Sequence, residues 1–209
     1  MTLDSLPPSS ANGKAEGILA AATGVFLEHG FAAASTDMLQ RAAGVSKSTL
    51  YAHFPSKDLL FTAVIEQQCA RFAATVSRIA PAADGDIRST LEEIGRAYLA
   101  IVLSPTGLAL FRVVSADAPR FPALARTFYL AGPKAIATLL AGHLQRAAAA
   151  GELDLQGVGV DSAAVLYASL LRGEGQMECL LHPAHTPSPA QLDHWLRQGL
   201  DTFLRAFAV

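Results

Sequence analysis

Cysteine and charged residues are both scarce in this sequence. Only two cysteines, Cys69 and Cys179, occur among 209 residues, and two so widely separated thiols exclude the dense disulfide frameworks of small secreted domains. Charged residues form 16% of the chain and the formal net charge is -2, which excludes the broad basic surface of a general nucleic-acid-binding protein. We therefore expect a cytoplasmic protein in which any attraction to a polyanion comes from a local patch.

Long apolar runs and catalytic motifs are also missing. Hydrophobic residues form 51% of the chain, but alanine supplies much of that share and no run of about 18 apolar residues occurs, so we expect no membrane segment. No nucleophile elbow, phosphate-binding loop or paired metal-ligand motif is present, which predicts no enzyme, no cofactor and no catalytic residue. His182, His185 and His194 share one loop without an acidic or cysteine cluster, and this favours a plain surface loop over a metal site.

A two-helix pattern runs from Thr36 to Lys57, with the sequence TDMLQRAAGVSKSTLYAHFPSK. Thr36 is placed to cap a first helix, Gly44 to end it and Ser46 to cap a second helix. The second helix has one bulky apolar anchor, Leu50, so we expect the rest of its surface to face outward. This is the layout of a helix-turn-helix that docks on DNA. The alternative is a short helical hairpin with a solvated polar face.

The polar side chains of this pattern suit a phosphate backbone. Lys47, Ser48 and Thr49 lie in the first turn of the second helix, where the helix dipole and free backbone amides favour phosphate and side chains can reach base edges. Hydroxyl, imidazole and ammonium groups follow, and no acidic residue occurs between Arg41 and Lys57. Such donors hold a protein in register on DNA without reading its sequence.

The segment AAGVSKSTLYAHFPSKDLL resembles the signature of the TetR family of bacterial transcription regulators. The resemblance implies an all-α homodimer with an N-terminal DNA-binding domain and a larger C-terminal domain that binds an inducer and dimerises. Ser48 departs from the family, which often has glycine there, and we add it to the candidates because serine is compatible with a helix and would alter base contacts. The candidate DNA-contacting residues are Thr36, Ser46, Lys47, Ser48, Thr49, Tyr51, His53 and Lys57.

A second segment, FRVVSADAPRFPALARTFYLAGPKAIATLL, resembles the C-terminal domain of the AefR-like repressors within that family. The similarity covers much of residues 105–175 and implies the same helical fold, but it names no ligand.

Helical periodicity divides the chain into about nine helices and no strands. Residues 1–13 read as a disordered arm, residues 14–56 as a three-helix helix-turn-helix domain and residues 57–209 as a ligand-binding and dimerisation domain. Gly132 and Pro133 fall inside a long helical pattern over residues 121–150, which predicts a kink there or a split into two helices.

The last helix carries an apolar stripe at three- and four-residue spacings, and a stripe that wide can face both its own core and a partner. Together with the preceding helix it predicts a four-helix bundle built across a two-fold axis. The alternative is that both stripes are intrachain core. The predicted interface residues are Leu171, Leu192, Trp195, Leu196, Leu200 and Phe203.

Aromatic residues on the fourth to eighth helices are candidates for lining a ligand cavity, and the alternative for most of them is an ordinary core position. They are Phe72, Tyr98, Phe111, Phe128, Tyr129, His143 and Tyr167. Their character favours a hydrophobic or aromatic inducer. The sequence thus predicts a sequence-specific transcriptional regulator, most often a repressor released by such a ligand from a palindromic operator. The alternative is a helical small-molecule-binding dimer without specific DNA binding.

Overall fold

The computed structural model describes residues 10–79 and 86–209, apart from the side chains of residues 10–12 and of Phe72. In these ranges the fold is all-α, as predicted. The helices are α1 Ser10–Ala33, α2 Thr36–Ala43, α3 Lys47–His53, α4 Lys57–Val76, α5 Ile87–Val102, α6 Pro105–Asp117, α7 Pro122–Tyr129, α8 Ala135–Ala149, α9 Val160–Leu181 and α10 Pro189–Phe207.

A π-helical turn, Leu130–Lys134, joins α7 to α8 without leaving the right-handed helical region at either junction. Pro133 lies inside the turn, and proline lacks the N–H that a regular helix needs at that position. A π turn is one way to absorb such a defect. Counted as one rod, α7 and α8 bring the described chain to nine helices, and the predicted irregularity at Gly132 and Pro133 is present.

Local caps set the ends of the central helices. The Thr49 N–H donates to Ser46 Oγ at 3.1 Å, so Ser46 caps α3 as expected. The Leu59 N–H likewise donates to Ser56 Oγ at 3.1 Å, so Ser56 caps α4. A cap of this kind contributes about 1 kcal/mol. Gly44 ends α2 with φ 64° and ψ 30°, a left-handed conformation that glycine adopts without steric cost.

The cap of α2 is Ser35 and not Thr36. The Met38 N–H donates to Ser35 Oγ at 3.2 Å, and Thr36 is the first helical residue. Both residues carry a hydroxyl, but the one that caps must itself be extended, and Ser35 has φ -92° and ψ 156°. The prediction that Thr36 caps this helix is therefore wrong by one position.

Helix α1 begins at Ser10, inside the segment predicted as a disordered arm, and the rest of that arm lies outside the described residues. Gly30 interrupts α1 with φ 81° and ψ 162°. The chain turns there so that Phe31, 1% exposed, packs into the core. The domain boundary at residue 57 stays a prediction, because packing crosses it.

The described chain has two apolar cores. The first is rich in phenylalanine and combines α1–α3 and the first half of α4 with Leu110, Val114 and Leu124 of α6 and α7. The second is mainly aliphatic and combines Val76 at the end of α4 with α5, α8, α9 and α10. Helix α4 belongs to both cores, so its position is coupled to both.

The apolar stripe of α10 is buried in the chain's own second core. Leu171, Trp195, Leu196, Leu200 and Phe203 are at most 5% exposed, and Leu192 is half-buried. A Cβ at Gly175 of α9 would lie 2.6 Å from the Trp195 ring, so this glycine admits the indole between the helices. These buried side chains are not available to a partner, and the alternative of intrachain core applies to them.

No single helix in the described ranges is both long and apolar enough to cross a membrane; only α5 and α6 taken together pass on length and composition, across a 64° bend.

Candidate functional site

Helices α2 and α3 form a helix-turn-helix whose inner side is anchored by two leucines. Leu39 of α2 is 1% exposed and Leu50 of α3 is 2% exposed, and both belong to the first core. The first turn of α3 points the other way, with Lys47 and Ser48 exposed and Thr49 half-buried. The free amides and positive dipole end of α3 therefore lie beside hydroxyl and ammonium donors, an arrangement that suits phosphate.

Hydroxyl contacts order this surface. Ser46 Oγ lies 2.9 Å from Ser48 Oγ and 2.8 Å from Thr49 Oγ1, so the capping oxygen also fixes its neighbours. Thr36 Oγ1 lies 3.1 Å from the hydroxyl of Tyr51, and this contact links the start of α2 to the last turn of α3. The structure thus brings the predicted residues of both helices onto one surface, with His53 half-buried at its edge.

Lys57 does not belong to that surface. Its ammonium donates to the carbonyl oxygens of Phe31 at 2.9 Å, Ala32 at 3.4 Å and Ala34 at 3.0 Å, and lies 4.5 Å above the Phe31 ring. An ammonium has three N–H donors, and all three are directed at the end of α1. In this structure Lys57 joins the start of α4 to the end of α1, and its assignment to the DNA-contacting set stays a prediction.

A cavity of about 250 Å³ opens between α4, α5, α6, the π turn and α9. It lies where the two cores meet, because Leu110 belongs to the first core and Tyr98 to the second. Most of its wall is apolar, formed by Ile101, Val102, Leu110, Phe111, Phe128, Pro133 and Ile136. The Phe111 and Phe128 rings meet edge to face with centroids 6.3 Å apart, a geometry typical of aromatic walls.

Three of the seven predicted ligand residues, Tyr98, Phe111 and Phe128, line this cavity. Tyr129 is 53% exposed on the outer side of α7 and does not line it. The side chain of Phe72 lies outside the described residues.

His143 and Tyr167 are buried elsewhere. The Tyr167 hydroxyl donates to Leu91 O at 2.7 Å, its ring packs edge to face on Phe203, and burial raises its pKa, so it is a core residue. Burial, with a smaller effect of Arg146, lowers the pKa of His143. Neither side chain lines the cavity, and their assignment to it is corrected.

The residues predicted to line the cavity did not include the polar residues of its wall. Arg172 and Gln176 of α9 and Gln68 and Arg71 of α4 line the cavity. Arg172 and Gln176 are four apart, so they share one helix face; this polar pair on α9 was the available signal. Burial raises the pKa of the Tyr98 hydroxyl, while a hydrogen bond from Arg172 acts in the opposite direction.

Cys69 is the thiol of the cavity wall. It sits on α4 opposite the π turn, where a Cβ at Gly132 would lie 3.3 Å from its sulfur. Burial, and to a smaller degree Glu66, raises the pKa of this thiol to about 11.

No three His, Cys, Asp or Glu side chains converge as metal ligands anywhere in the described ranges. His182 and His185 lie between α9 and α10, whereas His194 lies within α10 and not in the predicted loop. His185 Nε2 lies 3.6 Å from Glu178 Oε1.

A surface-exposed helix-turn-helix joined through a shared helix to a cavity-bearing helical domain is the layout of a DNA-binding regulator. Two family models match the chain: "Bacterial regulatory proteins, tetR family" over residues 18–64 and "AefR-like transcriptional repressor, C-terminal domain" over residues 89–209. The chain belongs to the TetR family, as the signature segment predicts. It is a DNA-binding transcriptional regulator of a family that is not enzymatic and typically dimerises through its C-terminal domain.

Individual relatives agree with this placement. The structure of the flavonoid-responsive regulator FrrA is 34% identical, with a TM-score of 0.77 over 94% of this chain and 98% of that one. A TetR-family regulator from Mesorhizobium loti superposes with a TM-score of 0.85 over 97% of this chain and 100% of its own, at 24% identity, and so supports the fold alone.

Among characterised sequences, the repressor AcnR of Corynebacterium efficiens is 40% identical over 60 residues, which is 29% of this chain and 32% of AcnR. The activator FasR of Mycolicibacterium smegmatis is 46% identical over 50 residues, or 24% of this chain and 23% of FasR. The chain therefore spans about a third of AcnR and less of FasR.

Proposed function

We propose that this chain is a homodimeric cytoplasmic repressor that leaves a palindromic operator when a small hydrophobic or aromatic ligand fills the cavity. The position of α4 carries the proposal. Its first turns share a core with α2 and α3, and Gln68 and Cys69, further along the same helix, line the cavity. A ligand that favours one placement of α4 thereby favours one placement of α3.

On the DNA side, α3 is the helix that enters the major groove. Its exposed first turn presents Lys47, Ser48 and Thr49 to base edges, while Tyr51 and His53 approach the backbone. Thr36 and Ser46 complete the set, the first through its contact with Tyr51 and the second through its cap. Two copies of α3 must meet successive major grooves about 34 Å apart, so a small rotation of each is enough to lose the operator.

The dimer is built on the outer face of α9. That face exposes large apolar side chains, with Val165 at 52%, Leu166 at 39%, Met177 at 60% and Leu181 at 69%. They extend over about 24 Å of helix, and a two-fold axis beside α9 would cover them with the same face of a second copy. This replaces the buried α10 stripe as the proposed interface.

The cavity supports the ligand part of the proposal. Its apolar and aromatic wall suits a compact apolar molecule, and the related FrrA is named for its response to flavonoids, which are aromatic compounds. The ligand must bind the two placements of α4 unequally, because a ligand with equal affinity for both shifts nothing. Repression is proposed because AcnR is named a repressor, although FasR is named an activator.

Operator binding tests the proposal directly. Sites selected from random DNA are expected to be palindromes whose half-sites are about one helical turn apart. Operator affinity is expected to fall steeply with salt, with a slope of about -0.9 for each phosphate neutralised. Lys47→Ala should reduce the magnitude of that slope by about 1 to 2 per dimer.

Lys134→Ala is the matched control, because Lys134 is an exposed lysine at the end of the π turn. It should leave the slope unchanged. Selection that yields no shared sequence, or a slope independent of Lys47, would overturn the proposal.

A further inference from the structure

We propose that the cavity selects an aromatic ligand with an anionic oxygen, a carboxylate or a phenolate, and that Arg172 is the residue that recognises it. This inference rests on the proposed function and specifies its ligand. A large apolar wall with a guanidinium at one side is the juxtaposition that carries it.

The charges that line the cavity have one sign. Among the described residues, Arg71 and Arg172 contribute to the wall and no aspartate or glutamate does; the nearest acidic effect on the wall is that of Glu66, which raises the pKa of Cys69 less than burial does. A cationic ligand would meet repulsion there, whereas an anion would be attracted. Arg71 is exposed to solvent and Arg172 is half-buried, so Arg172 is the less screened of the two cations.

Arg172 is not neutralised by its own chain. Ion pairs in the described part of the chain involve Arg88, Arg96 and Arg197 but none reaches Arg172. Its identified partner is the hydroxyl of Tyr98, to which it donates a hydrogen bond. A half-buried guanidinium beside a neutral phenol gains from a carboxylate or phenolate, because charge-assisted bonds are roughly twice as strong as neutral ones.

The neighbours of Arg172 hold it toward the cavity. Tyr98 is 4% exposed and fixed in α5, so the hydrogen bond that it accepts orients the guanidinium. Gln176 lies one turn further along α9 and also lines the cavity, where its carboxamide adds a donor for a second oxygen. Tyr98 is thus a positioning residue, and Arg172 and Gln176 form the polar end of the site.

The volume of the cavity and its apolar wall limit the size and polarity of the rest of the ligand. A cavity of about 250 Å³ is at the small end of ligand pockets, so it suits a compact molecule of a few rings. Phe111 and Phe128 supply an edge-to-face pair to pack on such rings. Large polyols and long acyl chains suit neither the apolar wall nor the compact shape.

The test is a calorimetric titration of the full-length dimer, without DNA, with two probes of equal shape. The probes are 2-naphthoate and 2-naphthamide, which differ in the negative charge. The wild-type protein is expected to bind the acid about 10- to 100-fold more tightly than the amide, the range for a hydrogen bond to a charged group. A third probe, 2-naphthylmethylammonium, is expected to bind most weakly.

Arg172→Gln is expected to remove the preference for the acid while leaving the affinity for 2-naphthamide within about two-fold, which shows that the cavity is intact. Arg172→Lys keeps the charge without the guanidinium fork and should retain a weaker preference, which keeps the test decisive if Arg172→Gln does not fold. Arg126→Gln removes an exposed arginine outside the cavity wall and should change nothing.

Equal binding of the acid and the amide, no binding of the acid, or a preference that survives Arg172→Gln would overturn the inference. Operator binding is measured separately by its salt dependence. A protein that binds its operator but shows no preference for the acid would refute the assignment of Arg172 and leave the repressor proposal standing.

Discussion

The two cores of this molecule differ in how self-sufficient they are. The second core combines α5, α8, α9, α10 and the end of α4 with Leu108 of α6, and glycines such as Gly175 let its helices approach closely. The first core serves the DNA-binding helices but is completed by α6 and α7, which also contribute Phe121 against Phe31 at 4.7 Å. Because the DNA-binding helices share part of their core with the cavity wall, a change in the cavity should affect the position of those helices.

Among the tests of this comparison, Phe61→Ala should have the largest effect on stability. Phe61 is 1% exposed and packs on Phe26 and Phe31 with ring centroids 4.8 and 5.1 Å away, so its loss should reduce the free energy of unfolding by about 3 to 5 kcal/mol. Because α6 and α7 share that core, the second core should be destabilised as well. The single tryptophan, Trp195, lies in the second core and reports on it. In denaturant at fixed protein concentration, the midpoint of its fluorescence transition should shift together with the midpoint of the circular-dichroism transition.

Leu91→Ala is the reference variant for the second core, since Leu91 is fully buried there. Two separate transitions for Phe61→Ala, with the Trp195 midpoint unmoved, would mean that the first core stands alone.

Lys57→Met gives an intermediate effect at the start of the shared helix. The change removes three hydrogen bonds, two to carbonyls of α1 and one to Ala34 O just after it, of which two are partly buried. It should lower stability by about 1 to 3 kcal/mol. The salt slope of operator binding should stay at the wild-type value, in contrast to Lys47→Ala. A slope that drops as far in Lys57→Met as in Lys47→Ala would restore Lys57 to the DNA surface.

Asp117→Ala tests the smallest contact between the two regions. Asp117 ends α6, and its Oδ2 accepts a hydrogen bond from the Ala32 N–H at 3.2 Å. Losing it should cost about 1 kcal/mol and weaken operator binding by roughly five-fold, while the affinity for cavity probes stays constant. Glu93→Ala, a charge removal at an exposed site of α5, is the control; equal losses in both variants would point to net charge rather than to this contact.

Local chemistry explains which parts of the fold could be predicted from the sequence. The caps act on backbone groups within three residues, so they can be predicted from the local sequence; examples are Ser46, Ser56 and Gly44. Periodicity likewise identified the helices and the Gly-Pro defect. It identifies an apolar face, however, and not the surface that the face meets, which is why the stripe around Trp195 was assigned to a partner.

The candidate sites divide in the same way. The α3 residues were predictable because a helix-turn-helix is a local motif, whereas the contacts of Lys57 with the end of α1 could not be predicted because its acceptors lie 23 to 26 residues earlier in the chain. The cavity depends on five helices at once. Aromatic character found Phe111 and Phe128 but could not show that Tyr167 donates its hydroxyl to Leu91 O in the core.

The thiol of Cys69 gives the cavity a chemical property of its own. With a pKa of about 11, only about one Cys69 side chain in ten thousand is a thiolate at pH 7. Oxidants and electrophiles react with the thiolate and not with the thiol, so burial in the cavity wall slows the reaction of this side chain with peroxide or quinone.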